Sequence, residues 1–86
     1  MKTFLSTILM LLSINSFAKV ECTSEPKSNW KDAEAFKKEL QATYKIKVFK
    51  VTEGNCYEVY GWNKEGKKVE IYFHPITGKK IKERIQ

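Results

Sequence analysis

The residues whose types could support chemistry are few. Glu58 and Glu70 are two carboxylates that a β-hairpin would place on one face, and paired carboxylates perform acid–base catalysis when their environments separate their pKa values. They are not directly opposite each other, and solvated cross-strand pairing with nearby lysine and tyrosine side chains accounts for them. His74 is the single histidine, and it has no ligand partner at metal-binding spacing. We therefore expect no catalytic site, no metal and no cofactor.

The two cysteines, Cys22 and Cys56, are better explained by structure than by redox chemistry. They do not form a C-x-x-C motif, and no cluster of cysteine and histidine accompanies them. A Cys22–Cys56 disulfide would close a loop of about 35 residues and contribute roughly 3 to 4 kcal/mol in the chain-entropy model. We predict this disulfide as the main support of a small domain.

Three aromatic residues, Tyr60, Trp62 and Tyr72, fall in the same strand phase as the two glutamates. Three rings exceed what a solvated sheet face needs, so they could form a platform that binds a peptide. Alternatively, the predicted disulfide could hold the segment from Lys19 to Lys27 across this face and bury it. The sequence leaves both interpretations open.

Basic residues exceed acidic ones by 16 to 10, which gives a net charge of +6, or about +5 once a leader containing Lys2 is removed. Acidic residues are interspersed, no nucleic-acid-binding motif is present and an export signal precedes the domain, so nucleic acid is an unsuitable partner. Anionic lipid or an envelope polymer remains an alternative ligand for the basic residues concentrated near the C-terminus. These are Lys67, Lys68, Lys79, Lys80, Lys82 and Arg84.

The elements that position these residues centre on a hairpin. Asn63 to Gly66 suits a type I turn followed by a left-handed glycine, which closes a three-residue loop. This register pairs Gly61 with Val69, Val59 with Ile71 and Tyr57 with Phe73, and all of these residues face the core. Because a slip of one residue would reverse every side chain, the hydrophobic pattern selects this register. Gly61 would let the helix approach the sheet.

The N-terminal part of the chain supplies an export signal and one helix. Met1 to Ala18 has the charged, apolar and small-residue layout of a signal peptide, with cleavage expected after Ala18. Residues 19–27 should form an extended lead-in. We expect a helix capped by Ser28 or Asn29, with Asp32 and Glu34 in its first turn. Its apolar stripe comprises Trp30, Ala33, Phe36, Leu40 and Tyr44, of which Trp30, Phe36 and Leu40 belong to the core.

Two further strands complete the predicted sheet. The first is the β-branched run 45–51, whose apolar residues change phase and indicate either a bulge or a strand covered on both sides. The last is a basic edge strand from Lys79 to Ile85, reached through a turn at residues 74–78. Gly66 closes the hairpin turn, and the second turn depends on His74, Pro75, Thr77 and Gly78.

The chain resembles PepSY-type domains from Trp30 to about Lys82. The resemblance rests on the helical F-x-x-x-L followed by an aromatic (Phe36, Leu40, Tyr44), on C-Y-E-V-Y-G from Cys56, and on V-E-I-Y-F-x-P-x-T-G from Val69. The chain departs from the family pattern at Thr43, where glycine is usual, and at His74, where aspartate is usual. The second departure removes the carboxylate expected to accept backbone N–H bonds in the turn.

The resemblance implies an α+β domain with one N-terminal helix on a three- to four-stranded antiparallel sheet, comprising residues 28–86. It also implies a location outside the cytoplasm and a role in binding or restraining peptidases. We expect a periplasmic or secreted, non-catalytic module that binds a protein or peptide through Tyr60, Trp62 and Tyr72 or by strand addition at a sheet edge. After signal cleavage it should have no membrane span, and its oligomeric state is left open.

Overall fold

A computed structural model describes residues 19–86, and the predicted signal peptide lies outside this range. The described part has the α+β fold expected from the sequence. A short 3-10 turn (Lys27–Asn29) precedes the helix α1 (Ala33–Leu40), and four strands follow in the order β1 (Lys45–Val51), β2 (Tyr57–Trp62), β3 (Lys68–Phe73) and β4 (Lys80–Ile85). Neighbouring strands pair antiparallel in a single sheet of order β1-β2-β3-β4.

The register predicted for the central hairpin is confirmed. Val59 pairs with Ile71, Gly61 with Val69 and Tyr57 with Phe73. The Asn63 backbone N–H donates to the Lys67 carbonyl, and Gly66 takes a φ of 79°, which is the left-handed conformation expected for glycine here. The hairpin therefore separates a core face from an outer face.

The core lies between the sheet and α1. Phe36 is the buried residue of the helix, and its ring contacts the rings of Phe49, Tyr57 and Phe73 at centroid distances between 5.5 and 6.4 Å. Such edge and tilted contacts are favourable arrangements for aromatic rings. Trp30 and Leu40 are only partly buried, but both pack against the core as expected.

The helix begins later than the sequence indicated. Its N-cap is Asp32, whose carboxylate accepts a hydrogen bond from the Ala35 N–H, so the prediction of Ser28 or Asn29 as the cap was wrong. Those two residues lie in the 3-10 turn instead, where the Asn29 side chain bonds to Glu25. Asp32 and Asn29 have similar capping preferences, so capping preference alone does not distinguish between them.

A bulge in β1 explains the phase change that the sequence left open. The register with β2 shifts between Ile46 and Val48, so Ile46 and Phe49 pack towards the core while Val48 lies opposite Tyr60 on the outer face.

Gly61 permits a close approach between two elements, but our prediction that the approaching element is the helix was wrong. A Cβ atom there would lie 2.0 Å from the Lys45 carbonyl oxygen of β1, and the helix is not involved.

The turn between β3 and β4 is stabilised by the histidine that replaces the usual aspartate. The His74 Nδ1 atom accepts hydrogen bonds from the backbone N–H groups of Ile76 at 3.2 Å and Thr77 at 3.4 Å. The imidazole of His74 therefore takes the place of the carboxylate that the family pattern would supply as the side-chain acceptor of this turn. Gly78 closes the turn with a φ of 77°.

The lead-in is attached to the loop between β1 and β2. The predicted disulfide is present, with 5.2 Å between the Cα atoms of Cys22 and Cys56. The Cys22 N–H donates to the Gly54 carbonyl, and the Asn55 side chain donates to the Thr23 carbonyl. Gly54 is required because a Cβ atom there would lie 1.9 Å from the Val20 carbonyl oxygen. A covalent link and two hydrogen bonds therefore hold the lead-in on this loop.

Replacing both cysteines by serine should lower the free energy of unfolding by about 2 to 5 kcal/mol, because the unfolded chain regains the entropy that the closed loop removes. Urea unfolding of the wild type with and without reductant measures this. The double variant serves as the control, since its unfolding midpoint should not respond to reductant. An unchanged wild-type midpoint in reductant would contradict the stabilising role of the disulfide.

Candidate functional site

The outer face of the sheet is organised in cross-strand rows. One row runs Lys50, Glu58, Tyr72 and Lys82 across the four strands. The adjacent row runs Val48, Tyr60, Glu70 and Arg84, and a third contains Lys45, Trp62 and Lys68. The face thus carries acids and phenols at its centre and mostly cations along its two edges. The three aromatic residues predicted to share a face do share it.

Glu70 is the centre of a hydrogen-bond network on this face. Its Oε2 atom accepts from the Tyr60 hydroxyl at 3.0 Å and from the Tyr72 hydroxyl at 3.2 Å, and its Oε1 atom lies 3.7 Å from Arg84 Nη1. Burial alone would raise the pKa of Glu70, but hydrogen bonds from Glu58 and the two phenols, with the charge of Arg84, hold it below its ordinary value. Glu70 is therefore an ionised acceptor at neutral pH.

Both phenols are held in their protonated form. The hydrogen bond to Glu70 and burial raise the pKa of Tyr60. Burial and the charges of Glu58 and Glu70 raise the pKa of Tyr72 to about 12. Each ring is consequently a fixed hydrogen-bond donor and not an acid that functions near neutral pH.

Glu58 departs most from the sequence-based expectation. It was interpreted as solvated, yet it is only 2 % exposed, and its Oε2 atom has no hydrogen-bond partner among residues 19–86. Its other oxygen lies 3.9 Å from Lys50 Nζ, a long ion pair. Burial, and then hydrogen bonding with Glu70, raises the pKa of Glu58 despite the nearby lysine. A buried, incompletely paired carboxyl group is costly, which marks this position as a candidate site.

Glu58 forms part of a cleft of about 390 Å³ at one end of the outer face. Its side walls are Lys50 on β1 and Lys82 and Arg84 on β4, and the rings of Tyr60 and Tyr72 line it. The end wall consists of Thr52 to Gly54 with Lys19 and Val20. Four cations against the two carboxylates Glu53 and Glu58 make this lining electropositive.

The remainder of the outer face stays open. The lead-in closes only the end next to Glu58, and then passes to the helix side, where the Trp30 indole N–H donates to the Glu25 carbonyl. A second cavity of about 180 Å³ lies beside Tyr60 and Trp62. Tyr60 is 37 % exposed, whereas Trp62 and Tyr72 are half-buried. The alternative in which residues 19–27 bury the aromatic face is therefore not what the structure shows.

The basic residues near the C-terminus are not brought together. Lys67 and Lys68 lie at the hairpin end of β3, while Lys79 and Lys80 follow its other end. Lys80 pairs with Glu83 at 2.9 Å on the helix side, and Arg84 pairs with Glu70. Only Lys82 and Arg84 of this group line the cleft, together with Lys50, which the sequence did not select because the phase of β1 was ambiguous.

The arrangement is suited to binding. Within residues 19–86 no three histidine, cysteine or acidic side chains come together as metal ligands. His74 lies in the turn described above and not in the cleft. The cleft offers lysine ammonium groups, an arginine and aromatic walls, which together favour an anionic group attached to an apolar chain.

The chain belongs to a known protein family, and its fold is compatible with that assignment. Residues 2–84 match PepSY_2, the peptidase propeptide and YPEB domain family. This confirms the family resemblance predicted from the sequence. No curated protein and no solved structure shows significant similarity to the chain. In the part of the chain from Lys19 onwards, no helix is sufficiently long and apolar to cross a membrane.

The carboxyl groups of Glu58 and Glu70 should affect stability with opposite dependence on pH. The pKa of Glu58 is raised in the folded state, so the stability linked to its protonated form is lost as pH rises through that pKa. Glu58→Gln should therefore unfold at higher denaturant than the wild type at pH 8, and the gain should disappear below the ordinary glutamate pKa of about 4.3. Urea unfolding across this pH range is the measurement.

Glu70→Gln is the matched comparison. The lowered pKa of Glu70 contributes stability above the unfolded-state pKa, and this is lost as pH falls. Removing its charge should cost about 1 kcal/mol at neutral pH, because two phenols and Arg84 lose a charged partner. Glu65→Gln in the exposed hairpin turn should change little. Equal effects of Glu58→Gln and Glu70→Gln at pH 8 would contradict these assignments.

Proposed function

We propose that this chain is an exported, non-catalytic module that binds a protein or peptide through the outer face of its sheet and restrains a peptidase. Membership of a family of peptidase propeptides supports the link to peptidases. The disulfide supports a location in an oxidising compartment, either periplasmic or extracellular. The predicted signal peptide at residues 1–18 supports export.

The observation that carries the proposal is the open outer face. Val48 and Tyr60 are opposite each other on β1 and β2 and are 39 % and 37 % exposed, with Trp62 two residues beyond Tyr60. Large apolar side chains that remain accessible beside a cleft are typical of interaction sites. Aromatic residues in particular are enriched in interfaces that dominate binding energy.

Strand addition is a second route to the same partner. Both β1 and β4 are edge strands, and Ile81 and Ile85 of β4 are 42 % and 51 % exposed. An added strand would bond to the free backbone edge and contact these side chains. Lysines on both edges discourage pairing between two copies of this chain, but not pairing with an acidic segment.

Trp62→Ala should abolish capture of an exported peptidase and leave the fold intact, because the side chain of Trp62 lies outside the core. The test immobilises the mature, disulfide-bonded protein and incubates it with extracellular and envelope proteins at low and high salt. Ile85→Ala is the matched comparison, since it removes an exposed apolar side chain from the edge strand β4 and so tests strand addition instead of the outer face. Activity of the captured peptidase, with and without added protein, measures restraint.

The outcomes separate the candidate modes of binding. Capture that survives high salt and is lost only in Trp62→Ala supports the outer face, whereas loss only in Ile85→Ala supports strand addition at β4. Binding that disappears generally at high salt supports the alternative of a basic protein bound to anionic lipid or polymer. Capture of no peptidase by the wild type would contradict the proposal.

A further inference from the structure

We propose that the cleft binds the C-terminal carboxylate of an extended peptide, whose preceding residues lie along the outer face towards Trp62. This inference rests on the proposed function, because it specifies the chemistry of a ligand for the same face. It goes further in naming a chain terminus as the group recognised and in assigning Lys50 and Lys82 to bind it.

The charge and position of the side walls favour a carboxylate. Lys50 on β1 and Lys82 on β4 are the two ends of one cross-strand row, with Glu58 and Tyr72 between them. Three strand spacings separate them by roughly 14 Å, a gap that two flexible four-carbon side chains can largely close from opposite sides. Arg84 pairs with Glu70 and Lys50 with Glu58, so a ligand carboxylate would share cations with these groups, and Lys50 and Lys82 can reach it from opposite sides of the row.

The end wall favours a terminus over a continuing chain. The β1–β2 loop and residues Lys19 and Val20 close the cleft beyond Glu58. The disulfide and the bond from Cys22 N–H to the Gly54 carbonyl hold this wall in place. A peptide lying along the strands from Trp62 would therefore meet a fixed barrier and end there.

The distance along the face sets the length of peptide recognised. Trp62 and Glu58 are four residues apart on β2, which corresponds to about 13 Å of extended chain. A terminal carboxylate at Glu58 thus places the third or fourth residue from the end beside Trp62. Val48 and Tyr60 lie between, so apolar side chains are expected at these positions of the ligand.

Glu58 couples carboxylate binding to protons. While ionised, it competes with a ligand for Lys50; once protonated, it releases that lysine and makes the cleft more positive. Proton uptake should therefore accompany binding. The charged and titratable groups that face it are Lys50 from β1, Tyr60 from β2, Glu70 and Tyr72 from β3, Lys82 and Arg84 from β4, Glu53 from the loop and Lys19 from the lead-in.

The test compares three pools of N-acetylated pentapeptides with degenerate apolar residues. The first pool has a free C-terminal carboxylate, the second a C-terminal amide, and the third an amide with glutamate in the fourth position. Titration of the full mature protein, followed by NMR shifts of the Trp62 indole and the Tyr72 and Lys82 amides, gives the affinity. We expect the free-acid pool to bind at least about tenfold more tightly than the amide pool, and more tightly than the glutamate pool.

Variants of the cleft sharpen the test. Lys50→Gln and Lys82→Gln should each reduce the preference for the free acid, whereas Lys64→Gln in the hairpin turn should retain it. Glu58→Gln should bind the free-acid pool at least as tightly as the wild type at pH 8 and lose the part of the pH dependence of binding that Glu58 contributes. Loss of binding in Glu58→Gln would indicate a cationic ligand group and overturn the proposal.

The remaining outcomes distinguish this inference from the proposed function. Equal binding of acid and amide pools, or absence of binding by all three, overturns terminal carboxylate recognition. In either case, Trp62-dependent capture of a peptidase would still uphold the broader proposal. Equal binding of the glutamate and free-acid pools would assign the cleft to acidic side chains and would likewise overturn the preference for a terminus.

Discussion

The antiparallel pairing of β2 with β3 is the constraint on which the rest of the structure depends. Side chains alternate across a strand, so the Val59–Ile71 pair commits every neighbouring residue to one face or the other. The same choice that buries Val59 and Ile71 under Phe36 directs Tyr60, Trp62 and Glu70 outward. The core and the candidate site are thus two consequences of a single register.

Much of this arrangement could be predicted from the sequence because it follows from local rules. The turn at Asn63 to Gly66 requires a left-handed glycine, and only one loop length keeps charge out of the core. The disulfide followed from two cysteines without a redox or metal motif. The shift of phase in the run 45–51 indicated a bulge, although only the structure shows which residues each face receives.

Other features depend on contacts between distant residues and could not be predicted in this way. Asp32 caps the helix, and Trp30 before it and Phe36 after it both contact the ring of Tyr57 on the sheet. Glu58 is polar and lies in an outward phase, yet it is buried. Long lysine and tyrosine side chains can cover a carboxyl group that strand alternation alone would leave in water.

The histidine in the β3–β4 turn illustrates how one acceptor can replace another. An aspartate and a neutral imidazole differ in charge and size, but either presents a lone pair to the two backbone N–H groups of the turn. The turn therefore keeps a side-chain acceptor although the residue differs from the family pattern.

Residues 19–23 are attached to Gly54 and Cys56, so they shape the cleft without taking part in the pairing of the strands. This segment forms no strand of the sheet, but it supplies one boundary of the cleft. Its residues could therefore change without disturbing the register of the strands, provided that Gly54 and the cysteines were kept. Substitutions in this segment would accordingly reshape the cleft and leave the sheet that carries it unchanged.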